Sequence, residues 1–381
     1  LQNLRCLQIE IKLVKRWLEM HKSASQSRRN LLQRFNLEIR ENMSKRNQAL
    51  VICGGLGIGL LVSAVTLMFV GISAPDLLNE FIFSIFTSSR SINAVLALAA
   101  PLTIVGLSAA IGFKARFWNI GIEGQVIFGA IGATLIATYD VGPEQFRIYL
   151  MASMAMLFGM AWMILPLFLS VKLRVNEIIS TLLLNYVAFN FLLHLLYGPW
   201  KDPETFFPNS KIYEKSERLN NVMGLEINVS VVIALVFVVL MTWLLSLSRF
   251  GYILKFVYAN SKMAKSIGIK VVLMVSIAAL ISGALSGLAG FTISAGIDSR
   301  LTQGFFIGYG FLGILIGFLA RNNPILVVIF ALMMAILMVA GQSLQVFYQI
   351  PFAMIQLIQA IIVICVAASE FFIQHRINII K

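Results

Sequence analysis

Charge is what this sequence has least of. Asp, Glu, Lys and Arg together make up 12% of its 381 residues, about half the share of a soluble globular domain. With 59% hydrophobic residues and a mean hydropathy of +0.86, that shortage excludes a soluble multi-domain enzyme. It equally excludes a disordered chain, which needs low hydrophobicity and high charge. Cysteine is scarce: Cys6, Cys53 and Cys365 stand far apart, which offers neither a C-x-x-C zinc pair nor a disulfide framework. His21, His194 and His375 are as scattered, so no metal cluster is signalled. The chain has no G-x-x-x-x-G-K-[ST] run, and therefore no P-loop with which to hold ATP. H-E-x-x-H, G-x-S-x-G and Ser/Lys constellations are missing too, which argues against a membrane hydrolase.

What is there in abundance is apolar sequence, in segments about 20 residues long, the length that spans a bilayer as a helix. Ten can be read: 50–72, 92–111, 117–139, 148–171, 178–197, 229–247, 271–293, 305–320, 325–340 and 352–372. The third and eighth are Gly-rich and interrupted by polar residues. Placing the N-terminus and every second loop inside puts 23 of the 30 Lys and Arg on the cytoplasmic side, as the positive-inside rule requires. Lys114 and Arg116, Lys172 and Arg174, and the loop from 249 to 270 carry the inner charge. Asp76, Glu80, Asp140, Glu144 and the mixed-charge stretch 198–226 lie opposite. The expected fold is all-α: a polytopic membrane protein of about ten transmembrane helices, both termini cytoplasmic. The net charge of +13 then reflects orientation and not nucleic-acid binding.

Two domains are expected. Residues 1–48 hold eleven basic residues and no span. Leu4, Leu7, Ile11, Val14 and Leu18 recur at helical spacing there, which reads either as an amphipathic helix on the anionic inner leaflet or as a plain basic tail. It has no small-residue cleavage site of a signal peptide. Residues 49–381 form the transmembrane domain. The run Gly54-Gly55-Leu56-Gly57-Ile58-Gly59 sits inside a span and reads as close helix packing, as do Ser282, Gly283, Ser286, Gly287 and Gly290.

Polar residues inside apolar runs point to the site. Asn119, Glu123 and Gln125 fall in Phe117-Trp118-Asn119-Ile120-Gly121-Ile122-Glu123-Gly124-Gln125. A carboxylate in mid-span costs about 2.5–3.5 kcal/mol on insertion scales, so Glu123 should face protein or water. It reads either as a solute-facing group or as the partner of Lys114 or Arg116 in an ion pair. Gly121 and Gly124 would let the backbone break, and broken backbone at membrane depth lines a cavity. Asn185 and Asn190 would bond a solute or another helix. The Gly-rich stretch 295–313, interrupted by Asp298, Arg300 and Gln303, reads as a half-helix region near the outer side. On the inner side, residues 261–269 suit a short amphipathic helix ending at Gly268. Ala264 and Gly268, four apart, would share a face that a partner approaches, flanked by Lys262 and Lys265.

Several segments together resemble one family. They are residues 115–125, residues 177–186 with Asn185, Lys201-Asp202-Pro203 followed by Phe207-Pro208, and Ala259-Asn260-Ser261-Lys262-Met263-Ala264 with Gly268-Ile269. Gly304, Gly308-Tyr309-Gly310-Phe311 and Asn323-Pro324 complete the set. The resemblance is to the permease subunit of bacterial nucleoside ABC importers, within the branched-chain amino acid and simple-sugar permease family. It implies a translocation subunit of the bacterial cytoplasmic membrane that is not itself an enzyme. It further implies a second paralogous permease, a cytoplasmic ATPase carrying ATP and Mg, and an extracytoplasmic substrate-binding lipoprotein. No cofactor is expected on this chain. Asn260, Lys262, Ala264, Lys265 and Gly268 would form the coupling helix. Trp118, Asn119, Glu123, Gln125, Asn185, Asn190 and Tyr309 are the candidate path residues, and Trp118 replaces a smaller apolar residue common in the family. The other readings are a ribose-type sugar importer with the same architecture and an ion-coupled secondary transporter, for which only Glu123 is well placed.

Overall fold

The structure is a computed structural model and describes residues 35–40, 43–78, 83–222, 226–305 and 308–379. The expected amphipathic helix of the first residues lies outside these. Ten helices carry the apolar segments: α1 Lys45–Phe69, α2 Ser89–Lys114, α3 Ile122–Thr138, α4 Glu144–Leu173, α5 Glu177–Tyr197, α6 Val229–Thr242, α7 Val271–Ile293, α8 Tyr309–Leu319, α9 Pro324–Tyr348 and α10 Phe352–Gln374. Among the described residues, eight helical segments are long and apolar enough to cross a membrane, while α3 and the segment holding α8 are shorter apolar helices. Among the described residues the fold is all-α apart from a five-residue antiparallel ladder, β1 Phe35–Ile39 with β2 His375–Ile379, registered Phe35 to Ile379 and Ile39 to His375.

The helix starts follow from side chains that accept a hydrogen bond from the first free N–H groups. Ser88 does this for α2, Asn176 for α5, Asn228 for α6 and Asn323 for α9. At α9 the cap is followed by Pro324, whose missing N–H costs nothing at the first helical position. Several helices outrun the apolar segments read from sequence. α4, for example, continues from Glu144 to Leu173 because charged residues at both ends hydrate turns that stand clear of the hydrocarbon.

The chain divides into two compact units, residues 1–63 with 361–381 and residues 64–360. In the first, Gly55 and Gly59 of α1 lie against Cys365 and Ile362 of α10, where any Cβ would collide with backbone. In the second, α7 is central and packs on α2, α3 and α4. Gly129, Gly159, Gly283, Gly287 and Gly290 bring three backbones into contact there, with no room for a Cβ between them. Gly55 and Gly59 of the first run, and Gly283, Gly287 and Gly290 of the second, are therefore packing positions, whereas Gly54 and Gly57 have open space beside them. Without a hydrophobic drive between helices in lipid, such close contact is a main source of cohesion.

Candidate functional site

The site grows from the break between α2 and α3. Helix α2 ends at Lys114, and the chain turns with Arg116 in a left-handed conformation (φ 57°). It then runs back beside α2 before α3 begins at Ile122, five residues later than the apolar pattern suggests. Asn119 makes the turn possible. Its Oδ1 accepts from Gly121 N–H (3.1 Å) and from Gln125 Nε2 (3.0 Å), and its Nδ2 donates to Gln125 Oε1 (3.0 Å) and to Ser282 Oγ (2.9 Å). Ser108 extends the network, 2.9 Å from Ser282 Oγ and 2.7 Å from Ser286 Oγ. Every member is buried, and the amides of Asn119 and Gln125 are committed to the protein itself. A buried polar network that is fully paired rigidifies its surroundings, so these two side chains hold the broken backbone in place.

Glu123, in the first turn of α3, is buried and reaches a second broken element. Its carboxylate accepts hydrogen bonds from Gly308 N–H (3.0 Å) and from Gly310 N–H, the opening residues of α8. A negative charge is most stable at a helix N-terminus, where free N–H groups and the helix dipole converge. The ion pair with Lys114 or Arg116 expected from sequence is not formed: Lys114 Nζ donates to Leu245 O and Arg116 Nη2 to Ala259 O. The cause is the re-entrant turn, which carries Glu123 away from both. Gly313 packs on Val105 and Gly317 on Ala109, so α8 runs alongside α2. Gly310 is then roughly 18 Å from the Lys114 end at 1.5 Å per residue, close to the middle of a 30 Å hydrocarbon layer. Tyr309 is buried at this junction.

Helix α5 carries the two asparagines to different places. Asn185 is fully buried and clamps the re-entrant segment, accepting from Gly124 N–H (2.8 Å) and donating to Ile120 O (2.9 Å). Thr181, one turn earlier, accepts from Ile120 N–H. Asn190 is five residues on, about 140° around the helix, and is exposed, bonded only to Tyr186 O of its own helix. It shares its outer face with Tyr186, His194 and Tyr197, all exposed. Phe191 beside it is 42% exposed and stacks on Phe128, which stacks in turn on Trp162 at 3.6 Å between centroids. The sequence reading did not bring Tyr186, His194 and Tyr197 together as one face. Their spacing of 4, 4 and 3 around Asn190 was the available signal, masked by the apolar residues between. Trp118 is exposed beside Phe113.

The loop after α5 is tied to the rest of its unit. Arg147 of α4 donates to Asp140 Oδ1 (2.9 Å) and Glu217 Oε1 (2.7 Å). Tyr213 is 2.6 Å from Thr134 Oγ1, and burial pushes its hydroxyl up to about 12, so it stays protonated.

A π turn Trp243–Leu247 follows α6, and two short helices, Arg249–Ala259 and Ser261–Ser266, follow the turn. Asn260 caps the second, its Oδ1 accepting from Lys262 and Met263 N–H at 3.1 Å each. Lys262 and Lys265 are exposed as expected. Ala264 and Gly268, however, do not share a helix face. The helix stops at Ser266, Ala264 is buried within the chain, and Gly268 has a left-handed φ of 88°. An exposed face is offered instead by Met263 and Ile267, 62% and 60% exposed.

Among curated proteins the chain is similar to several transport permeases. It is 31% identical to the glucose ABC transporter permease protein TsgB13 of Haloferax volcanii, over 84% of this chain and 87% of that protein. It is 26% identical to the guanosine ABC transporter permease protein NupP of Bacillus subtilis, over 82% and 91%. The nucleoside ABC transporter permease protein NupB of Lactococcus lactis is also 26% identical, over 77% and 84%. Residues 91–367, which hold the whole broken-helix junction, α5 and the inner helices, match the family described as branched-chain amino acid transport system / permease component. The chain belongs to that family: it is a multi-pass protein of the cell membrane and the translocation subunit of an ABC importer, not itself an enzyme.

Proposed function

We propose that this subunit carries nucleosides, pairing with a second, paralogous permease, a cytoplasmic ATPase that binds ATP and Mg, and an extracytoplasmic binding lipoprotein. The outer face of α5 is the observation that carries this reading. Asn190, His194, Tyr186 and Tyr197 stand exposed on a membrane-spanning helix, and polar groups of this kind face protein or water, not lipid. That face suits the border of a solute path shared with the second permease. A nucleoside has ring faces and hydroxyls; Phe191 supplies a stacking surface, and Asn190 and His194 supply hydrogen bonds. The permeases of guanosine and nucleosides among its relatives and the resemblance of residues 115–125 to nucleoside importers support the same solute. Asn119, Gln125, Glu123 and Asn185 act one layer behind, holding the break, and Tyr309 sits at the junction itself. The short helix from Ser261 to Ser266 couples to the ATPase through Lys262, Met263, Lys265 and Ile267. Asn260 shapes that helix by capping it.

The test is uptake. Cells lacking the chain should lose low-concentration uptake of labelled guanosine, and Asn190→Leu or His194→Leu should lower it about tenfold at normal membrane abundance, the loss of one charge-free hydrogen bond to solute or somewhat more. A second reading, a sugar importer, is favoured by the 31% identity to a glucose permease. Loss of glucose or ribose uptake with guanosine uptake unchanged would replace the nucleoside by the sugar. Uptake that persists without ATP and follows the proton gradient would remove the ABC reading altogether.

A further inference from the structure

The helix that leads into the coupling helix is connected to the α2 end and the re-entrant segment by two cations. Lys114, at the end of α2, donates from Nζ to Leu245 O at 3.0 Å. Leu245 lies in the π turn Trp243–Leu247, so this bond engages a carbonyl in the element that launches the inner helices. Arg116, two residues on, donates to Ala259 O at 3.3 Å, and its guanidinium lies 5.8 Å from the centre of the Tyr258 ring. Ala259 closes the Arg249–Ala259 helix and precedes Asn260, the cap of the Ser261–Ser266 helix. A cation is well placed at a helix C-terminus, where free carbonyls and the negative end of the dipole meet. The two residues therefore hold the Arg249–Ala259 helix at both its ends, in the turn before it and at its last carbonyl, where the Ser261–Ser266 helix begins.

The other side of the grip is the break itself. Between Arg116 and Glu123 the chain bonds to α5 through Thr181 and Asn185, to α7 through Ser282 and to α8 through Glu123. A displacement of the inner helices thus has a continuous, hydrogen-bonded route to the N-termini of α3 and α8 at mid-membrane. We propose that Lys114, assisted by Arg116, is a positioning element of transport: it transmits movement of the ATPase-docking helices to the broken-helix junction. Lys114 is partly buried and takes the larger share. Arg116 is exposed, where a charged contact is screened by water and contributes little. This inference rests on the docking role of the Ser261–Ser266 helix proposed above.

The experiment uses the intact complex with its native partners in proteoliposomes, with labelled guanosine outside and ATP at the ATPase. Two quantities are read, ATP hydrolysed and guanosine moved. Lys114→Met keeps the length and apolar stem but removes the donor. It should assemble at wild-type abundance, hydrolyse ATP, and move about fivefold less guanosine per ATP or fewer still, the lower end of an ordinary coupling energy. Lys114→Arg, which can still reach a carbonyl, should restore most of the ratio. Arg116→Gly is a control for folding, because φ 57° suits glycine; it should keep stability and give a smaller loss. A wild-type ratio in Lys114→Met would overturn the proposal, as would a loss of abundance that Lys114→Arg does not repair. Met263→Glu tests the underlying reading separately. If it leaves hydrolysis and uptake untouched, the docking role falls; if it abolishes coupling while Lys114→Met does not, only the transmission role falls. Should the wild-type complex move no guanosine, the solute reading fails and labelled glucose takes its place, with the same arms.

Discussion

Glu123 and Asn119 show what a polar side chain does when it is buried in a membrane protein: each satisfies backbone or amide groups that have no water to turn to. Glu123→Ala would leave the N–H groups of Gly308 and Gly310 without an acceptor, at a cost of about 2 kcal/mol or more. Asn119→Leu, close in size, would orphan Gln125 and the Gly121 N–H at a similar cost. Both variants should melt earlier than wild type in detergent, followed by the loss of helical circular dichroism. An unchanged midpoint would mean that solvent already reaches the junction. That these residues mattered was legible from their position in an apolar run. Their partners were not, because Glu123 meets residues 185 and 187 positions away. Sequence proximity instead suggested Lys114 and Arg116, a pairing that a straight continuation of the chain would have favoured and the re-entrant turn forbids.

At the scale of elements, all ten apolar segments became helices, and the two marked by glycine, the third and eighth, are the two short ones. Their edges were misplaced for one reason: periodicity registers apolar residues such as Phe117 and Phe305 whether or not the backbone around them is helical. The buried side of α5 was likewise invisible, since Asn185 and Asn190 look alike in sequence and differ only in the direction the helix gives them. The inner helix yields a prediction of its own. Gly268 has open space around it but a left-handed backbone, so Gly268→Ala and Gly268→Trp carry the same conformational cost of about 1 kcal/mol. Equal abundance in both, with coupling lost only in Gly268→Trp, is the expected result. Equal loss in both would assign the effect to the backbone turn and not to a docking partner. Ala264→Trp is a different experiment, because Ala264 is buried and its replacement should lower abundance.

For the molecule as a whole, the charge alternation makes a topological prediction. A reporter active only outside the cytoplasm should work when fused after Asn209 and be silent after Ser261; the reverse would invert the orientation, and activity at both sites would mean an extra crossing between them. The same pattern has a consequence for how the protein is made. Helix α8 has eleven residues, about 16 Å of helix, roughly half of what a bilayer asks of a self-sufficient span. Its exposed N-terminal groups find their acceptor on Glu123, synthesised 185 residues earlier. An insertion machinery that judges each emerging segment by its own apolarity has little reason to keep α8 in the membrane by itself. Helix α8 should then be seated only once α2 and α3 are both present, and chains carrying Glu123→Ala should be delivered to the membrane normally and then degraded by its quality-control proteases from the α8 region.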